Sequence, residues 1–190
     1  MTPEIFIKIC VYGLFGVFGL CVGSFLNVLI YRTPREMSLS KPASHCTSCG
    51  YHLRWYDNIP VLSYLILCGK CRKCKTHISP RYMIVEIANA LFWLLAAFLF
   101  WDISPVYAVT SAIASSSLIC IFFIDLEHLL IFNRFTFVVA ICGVVAIFTD
   151  DGALWQDHII GAVAGGGIFF AIYYGAIAVL NKEGLLRQSL

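Results

Sequence analysis

The sequence predicts an all-α fold: a polytopic transmembrane bundle of about five spans, interrupted by one cytoplasmic, zinc-ribbon-like loop that carries four cysteines. Three observations predict it. Of the 190 residues 60% are hydrophobic and only 13% charged, with a mean hydropathy of +0.85, which places the chain among integral membrane proteins and excludes an ordinary soluble domain. Apolar runs of spanning length recur along the chain. The segment from Arg32 to Tyr82 is the one long polar stretch, with nine Lys or Arg against only Glu36 and Asp57, a net +7 in a chain whose total is +2.

Residues 1–31 form the first span. Its apolar run from Ile9 to Tyr31 is broken only by glycines, Ser24 and Asn27, and it lacks the basic start and small-residue cleavage site of a signal peptide. Gly23-Ser24-Phe25-Leu26-Asn27 at its end suits close helix packing, with Asn27 as an interhelical hydrogen-bonder.

Residues 32–82 form the loop. Cys46-Thr47-Ser48-Cys49 and Cys71-Arg72-Lys73-Cys74 are two CxxC hooks, and both sulfurs of such a turn can reach one tetrahedral metal. The 21 residues between them lie just beyond the common zinc-ribbon spacing. Disulfides, a redox pair and four unrelated thiols compete with this reading. A loop this basic between apolar segments stays on the cytoplasmic side, where thiols are kept reduced, and no βαβ unit is visible to carry a redox CxxC. Zinc held by Cys46, Cys49, Cys71 and Cys74 is therefore expected, in a closed structural site with no open coordination position. Topology explains the basic charge more simply than nucleic acid does, so no nucleic acid partner is expected. The remaining cysteines, Cys10, Cys21, Cys68, Cys120 and Cys142, lack partner spacing and read as small apolar residues.

Residues 83–190 form the remaining helical region. Met83 to Trp101 spans, with Glu86 near its start as an ionisable group that either snorkels or serves function. Val106 to Ile124 returns the chain and ends in Ile124-Asp125-Leu126-Glu127-His128, which puts Asp125 at the cytoplasmic boundary. An acid there opposes the helix dipole. Phe135 to Phe148 is a shorter fourth segment, and Ile159 to Leu180 a fifth. With the basic loop on the cytoplasmic side the N-terminus lies outside, in the periplasm, and the acidic turn around Asp150, Asp151 and Asp157 falls on the outer face by alternation. No HExxH or GxSxG motif is present, which sets aside zinc and serine proteases.

Several ordered motifs together resemble the prepilin peptidase family, membrane aspartic proteases of type IV pilus and type II secretion systems. They are Gly23 to Arg32, the two CxxC pairs, Arg54 to Ser63, Ile78-Ser79-Pro80-Arg81-Tyr82 leading into Val85-Glu86, and Ile124 to Leu130. The resemblance implies a multi-pass protein of the bacterial inner membrane that cleaves the basic leader of prepilins or pseudopilins. It also implies methylation of the new N-terminus with S-adenosylmethionine in many members. It makes Asp125 the first of two catalytic aspartates; the second stands in a Gly-x-Gly-Asp motif. After Lys182-Glu183-Gly184 this chain reads Leu185 to Leu190 instead, and Phe132 and Asn133 replace the family's usual proline and aspartate. The sequence thus reads as a C-terminally truncated member, with an inactive membrane binding module as the alternative to an endopeptidase. Because leader and loop are both basic, Glu86 and Glu127 are the candidates for contacting the leader. The lipid bilayer and prepilin substrates are the expected partners, with a homo-oligomer also considered.

Overall fold

The computed structural model describes residues 2–149, together with 156, 157, 159–165, 167, 168, 171 and 174. The chain divides into two compact units, residues 1–149 and 150–190, and the described residues of the second are helical.

The first unit contains α1 (Pro3–Arg32), α2 (Leu62–Ile66), α3 (Arg81–Phe100), α4 (Pro105–His128) and α5 (Asn133–Thr149). Among the described residues three helices are long and apolar enough to cross a membrane: α1 with its 3-10 extension to Arg35, α3 and α4. The fourth predicted segment is α5, apolar but only 17 residues long. The fifth, from Ile159 to Leu180, lies half outside the described residues.

Local chemistry sets the helix ends. Pro105 occupies the first turn of α4, where its missing N–H costs nothing, and Ser104 Oγ accepts from the Tyr107 N–H at 3.4 Å. At the other end Leu129 turns left-handed at φ 52 and returns its N–H to the Asp125 carbonyl at 2.9 Å.

Glycine brings α1 and α3 together. A Cβ on Gly19 would stand 2.7 Å from Ala90 Cα, and one on Gly23 2.8 Å from Glu86 Cα, so the two backbones could not approach this closely with any larger residue. Into this contact Asn89 Nδ2 donates to the Gly19 carbonyl at 2.7 Å, while Asn89 Oδ1 accepts from Ser116 Oγ of α4 at 2.8 Å. Trp93 Nε1 in turn donates to Ser116 Oγ at 2.8 Å, so one polar ladder ties three helices where no water is available to compete.

Two apolar clusters fill the bundle. One, near the loop, holds Leu26, Ile30, Val85, Ile119, Cys120, Ile124 and Phe135; the other holds Val11, Phe15, Ala96, Ala97, Ala108 and Ala112. An ion pair marks each end: Lys8 with Asp102 at 2.5 Å at the far end, and Arg81 with Glu127 at the loop end. The ends of α1 and α4 and the start of α3 therefore share the side on which the cysteine loop stands.

Candidate functional site

The loop between α1 and α3 is built from two turns of the same design. In the first, the Cys46 N–H donates to the Tyr51 carbonyl, the Gly50 N–H to the Cys46 carbonyl and the Leu53 N–H to the Ser44 carbonyl, each at 2.9 Å. In the second, the bonds run from Cys71 to Thr76, from Lys75 to Cys71 and from Ile78 to Gly69, at identical sequence offsets. Each turn is closed by one antiparallel bridge, His45 with His52 and Lys70 with His77. Both need a left-handed residue after the second cysteine; Gly50 (φ 68) supplies it in one and Lys75 (φ 60) in the other.

The two turns face each other, and the Sγ atoms of Cys46, Cys49, Cys71 and Cys74 all lie within 4.8 Å of one another. Cys46 and Cys74 are 3.8 Å apart, close to the separation of about 3.8 Å that four thiolates at 2.3 Å from one tetrahedral metal would have. The thiols are not equivalent. The Ser48 backbone N–H leads in drawing Cys46 below the ordinary thiol range, and the Thr76 hydroxyl leads in pulling Cys74 down to about 6. For Cys49 the Tyr51 backbone N–H acts downward, but burial and the three neighbouring thiols outweigh it and push the group up to about 11. Four such groups resist joint ionisation unless a cation sits among them. Donor type and geometry thus both fit a four-coordinate metal with no free position.

One acid holds the two turns against each other. Asp57 is buried, and its carboxylate accepts from Arg72 Nε at 2.6 Å, the Tyr51 hydroxyl at 3.1 Å and the Arg54 N–H at 3.3 Å. Burial alone would raise its carboxyl; these three donors outweigh it and hold the group below the usual carboxylate range. Sequence reasoning missed this residue. The available signal was its isolation, as one of two acids in a segment of net charge +7.

Glu86 is buried in α3 at 8% exposure, and its Oε2 accepts from the Val61 N–H at 2.7 Å. Val61 sits at φ 60, a conformation a β-branched residue rarely adopts, so the bond fixes a costly turn. Asn27 donates from Nδ2 to the Tyr82 carbonyl at 2.9 Å, the interhelical bond expected of it. Asp125 is exposed, one turn before the end of α4. Glu127 is already engaged by Arg81. The structure therefore gathers the four cysteines into one site. Glu86 is buried and Glu127 exposed, and each has a partner within the protein.

Within residues 2–149 the other aspartates are Asp57, held as above, and Asp102, paired with Lys8 at the opposite end. Asp125 is thus the one aspartate on a membrane helix at the loop end of that unit. The family's second motif would follow Gly184, outside the described residues.

A helical membrane protein with a four-thiol module and an exposed aspartate at the same end of its bundle is the class these features define. Residues 17–100 match the bacterial peptidase A24 N-terminal domain, and residues 112–185 match the type IV leader peptidase family. The chain is 37% identical over 170 residues to a prepilin leader peptidase/N-methyltransferase of Myxococcus xanthus, covering 89% of this chain and 50% of that protein. It is 38% identical over 186 residues to a type 4 prepilin-like proteins leader peptide-processing enzyme of Escherichia coli, covering 88% and 68%. A prepilin leader peptidase/N-methyltransferase of Dichelobacter nodosus is 32% identical over 197 residues, covering 90% and 68%. The chain belongs to the prepilin leader peptidase family. It spans half the length of the Myxococcus relative and about two thirds of the other two. No solved structure matches it significantly.

Proposed function

We propose that this chain supplies the metal-clamped module and one catalytic carboxylate of a membrane aspartic endopeptidase acting on the leaders of type IV prepilins and type II pseudopilins. Cleavage would take place at the cytoplasmic face of the bacterial inner membrane, with the N-terminus of α1 periplasmic. The observation that carries this reading is the position of Asp125 at the end of the bundle that also bears the cysteine module, within a chain of this family. In an aspartyl pair one carboxylate takes a proton from water while the other protonates the scissile carbonyl oxygen, and their repulsion makes them share a proton. Asp125 is assigned one of these roles, with its partner outside residues 2–149.

Zinc is the metal the four-thiolate set suits, and its role is to hold the loop rather than to meet substrate. Methyl transfer from S-adenosylmethionine to the new N-terminus is a second activity the relatives' names support for them, and its residues here are unassigned. Glu86 and Glu127 reach the leader only if their bonds to Val61 and Arg81 are exchanged.

The test is leader cleavage in membranes by the chain alone, by its Asp125→Ala variant, and by the chain joined to a family Gly-x-Gly-Asp segment with its following helices. Cleavage by the joined form that falls about a thousandfold or more when Asp125 is replaced supports the assignment. Undiminished cleavage by the variant overturns it. A second reading, a membrane binding module without catalysis, is favoured by the lone boundary aspartate of the first unit; prepilin capture without cleavage by every form would establish it.

A further inference from the structure

Residues 58–69 form an uncharged stretch inside the basic loop, Asn58-Ile59-Pro60-Val61-Leu62-Ser63-Tyr64-Leu65-Ile66-Leu67-Cys68-Gly69. An apolar run of this length is too short to span a membrane, and is either a buried core helix or an interfacial or re-entrant segment. The structure rules out the first: α2 has no buried residue, and Leu62, Leu65 and Ile66, which share one helix face, are 56%, 56% and 75% exposed. In a water-exposed loop this face would be an unexplained apolar patch.

Its anchoring gives the depth. The N-cap of α2 is Val61, whose N–H bonds Glu86 Oε2. Glu86 lies five residues beyond the start of α3, about 8 Å along the axis. Since α3 has 20 residues, about 30 Å, it is no longer than the hydrocarbon core, and the start of α2 lies within the span of α3 rather than above it. A second contact agrees. A cleft of about 390 Å³ is lined by Cys21, Ser24, Phe25, Val28 and Arg32 of α1 and by loop residues that include Asn58 and Pro60, so the chain just before α2 stands alongside the last turns of α1. Ile84, near the start of α3, is 50% exposed, so apolar side chains stand open on α3 at this end of the bundle as they do on α2. Trp55, 79% exposed, packs edge-on against Tyr56 at the start of the segment, an aromatic pair of the kind found at headgroup level. Arg54 precedes the stretch and Lys70 follows it, where they can meet anionic headgroups.

We infer that Ile59–Ile66 is a membrane-embedded hinge of the loop, with Leu62, Leu65 and Ile66 in contact with phospholipid acyl chains and Trp55 at the headgroup boundary. The loop is then fixed to the bilayer at a third place besides its two ends.

A photoreactive diazirine side chain placed singly at 65 and 66 in the full chain, in membranes, tests this. Phe98, 69% exposed on α3, serves as the lipid-facing control, and Lys73 as the loop control. All four side chains are exposed, so the label displaces no packing. The expected result is phospholipid adducts at 65 and 66 equal to those at Phe98 and about tenfold above Lys73. Adducts no higher than at Lys73 would overturn the inference, as would adducts at 65 and 66 chiefly to protein, which would make this face a docking site for a polypeptide.

Discussion

The bundle and the cysteine loop belong to one chain but are held by different means. The helices bury two apolar clusters and bring α1 onto α3 through Gly19 and Gly23, so their association rests on packing. Between residues 33 and 80 only Thr33, Asp57, Gly69 and Cys71 are buried. That set contains no hydrophobic core; the loop rests on the meeting of four thiols and on one acid. A module without a core depends on what joins its thiols, whereas the bundle needs only its neighbours. The two halves should therefore fail independently.

The largest effect comes from the thiols. Replacing Cys46 or Cys71 by Ser is expected to lower bound metal from about one equivalent per chain to near zero and to open the loop to protease, while helix content persists. Metal analysis with limited proteolysis checks it; a wild-type chain that folds its loop without metal would end the comparison. Gly23→Leu should do the reverse. Its Cβ would meet the α3 backbone, so the bundle should lose about 3 kcal/mol while the thiol site keeps its metal, as read by thermal unfolding in detergent alongside metal content.

A smaller effect sharpens the contrast within the loop. Asp57→Asn should weaken it by about 1 kcal/mol without removing a ligand. Because Asp57 titrates below its ordinary value when folded, its contribution is fully present above the unfolded carboxylate value and is lost as pH falls through the folded one. The loop stability of wild type and variant should therefore differ at neutral pH and converge in acid, measured by protease resistance across that range. A constant gap would mean that another group holds the two turns.

Parts of the chain were legible because their signals are local. Spacing alone marked Cys46, Cys49, Cys71 and Cys74 as one set, and hydropathy placed a span from Val106 to Ile124 where α4 runs from Pro105 to His128. The character of Gly23 as a packing residue was also readable, since small residues near a span end have few other uses. What escaped were pairings between distant residues. The bond from Val61 to Glu86 crosses 25 positions, and that from Arg72 to Asp57 crosses 15. Neither leaves a period or spacing in the chain. The weight Glu86 carries as a structural anchor could not be read from an acid near a helix start, where lipid, water and substrate are equally plausible partners.

The two hooks of the loop place different residues at the same left-handed position. Gly50 takes its left-handed conformation freely, but Lys75 does so at a cost of about 1 kcal/mol. A metal held by the four thiols would therefore be gripped unevenly, with strain on the side of Cys71 and Cys74 and none on the other. Metal exchange should begin at the strained grip, and Lys75→Gly should slow release to a competing chelator several-fold, by about the Boltzmann weight of that cost. One lysine would then govern how long the loop keeps its ion.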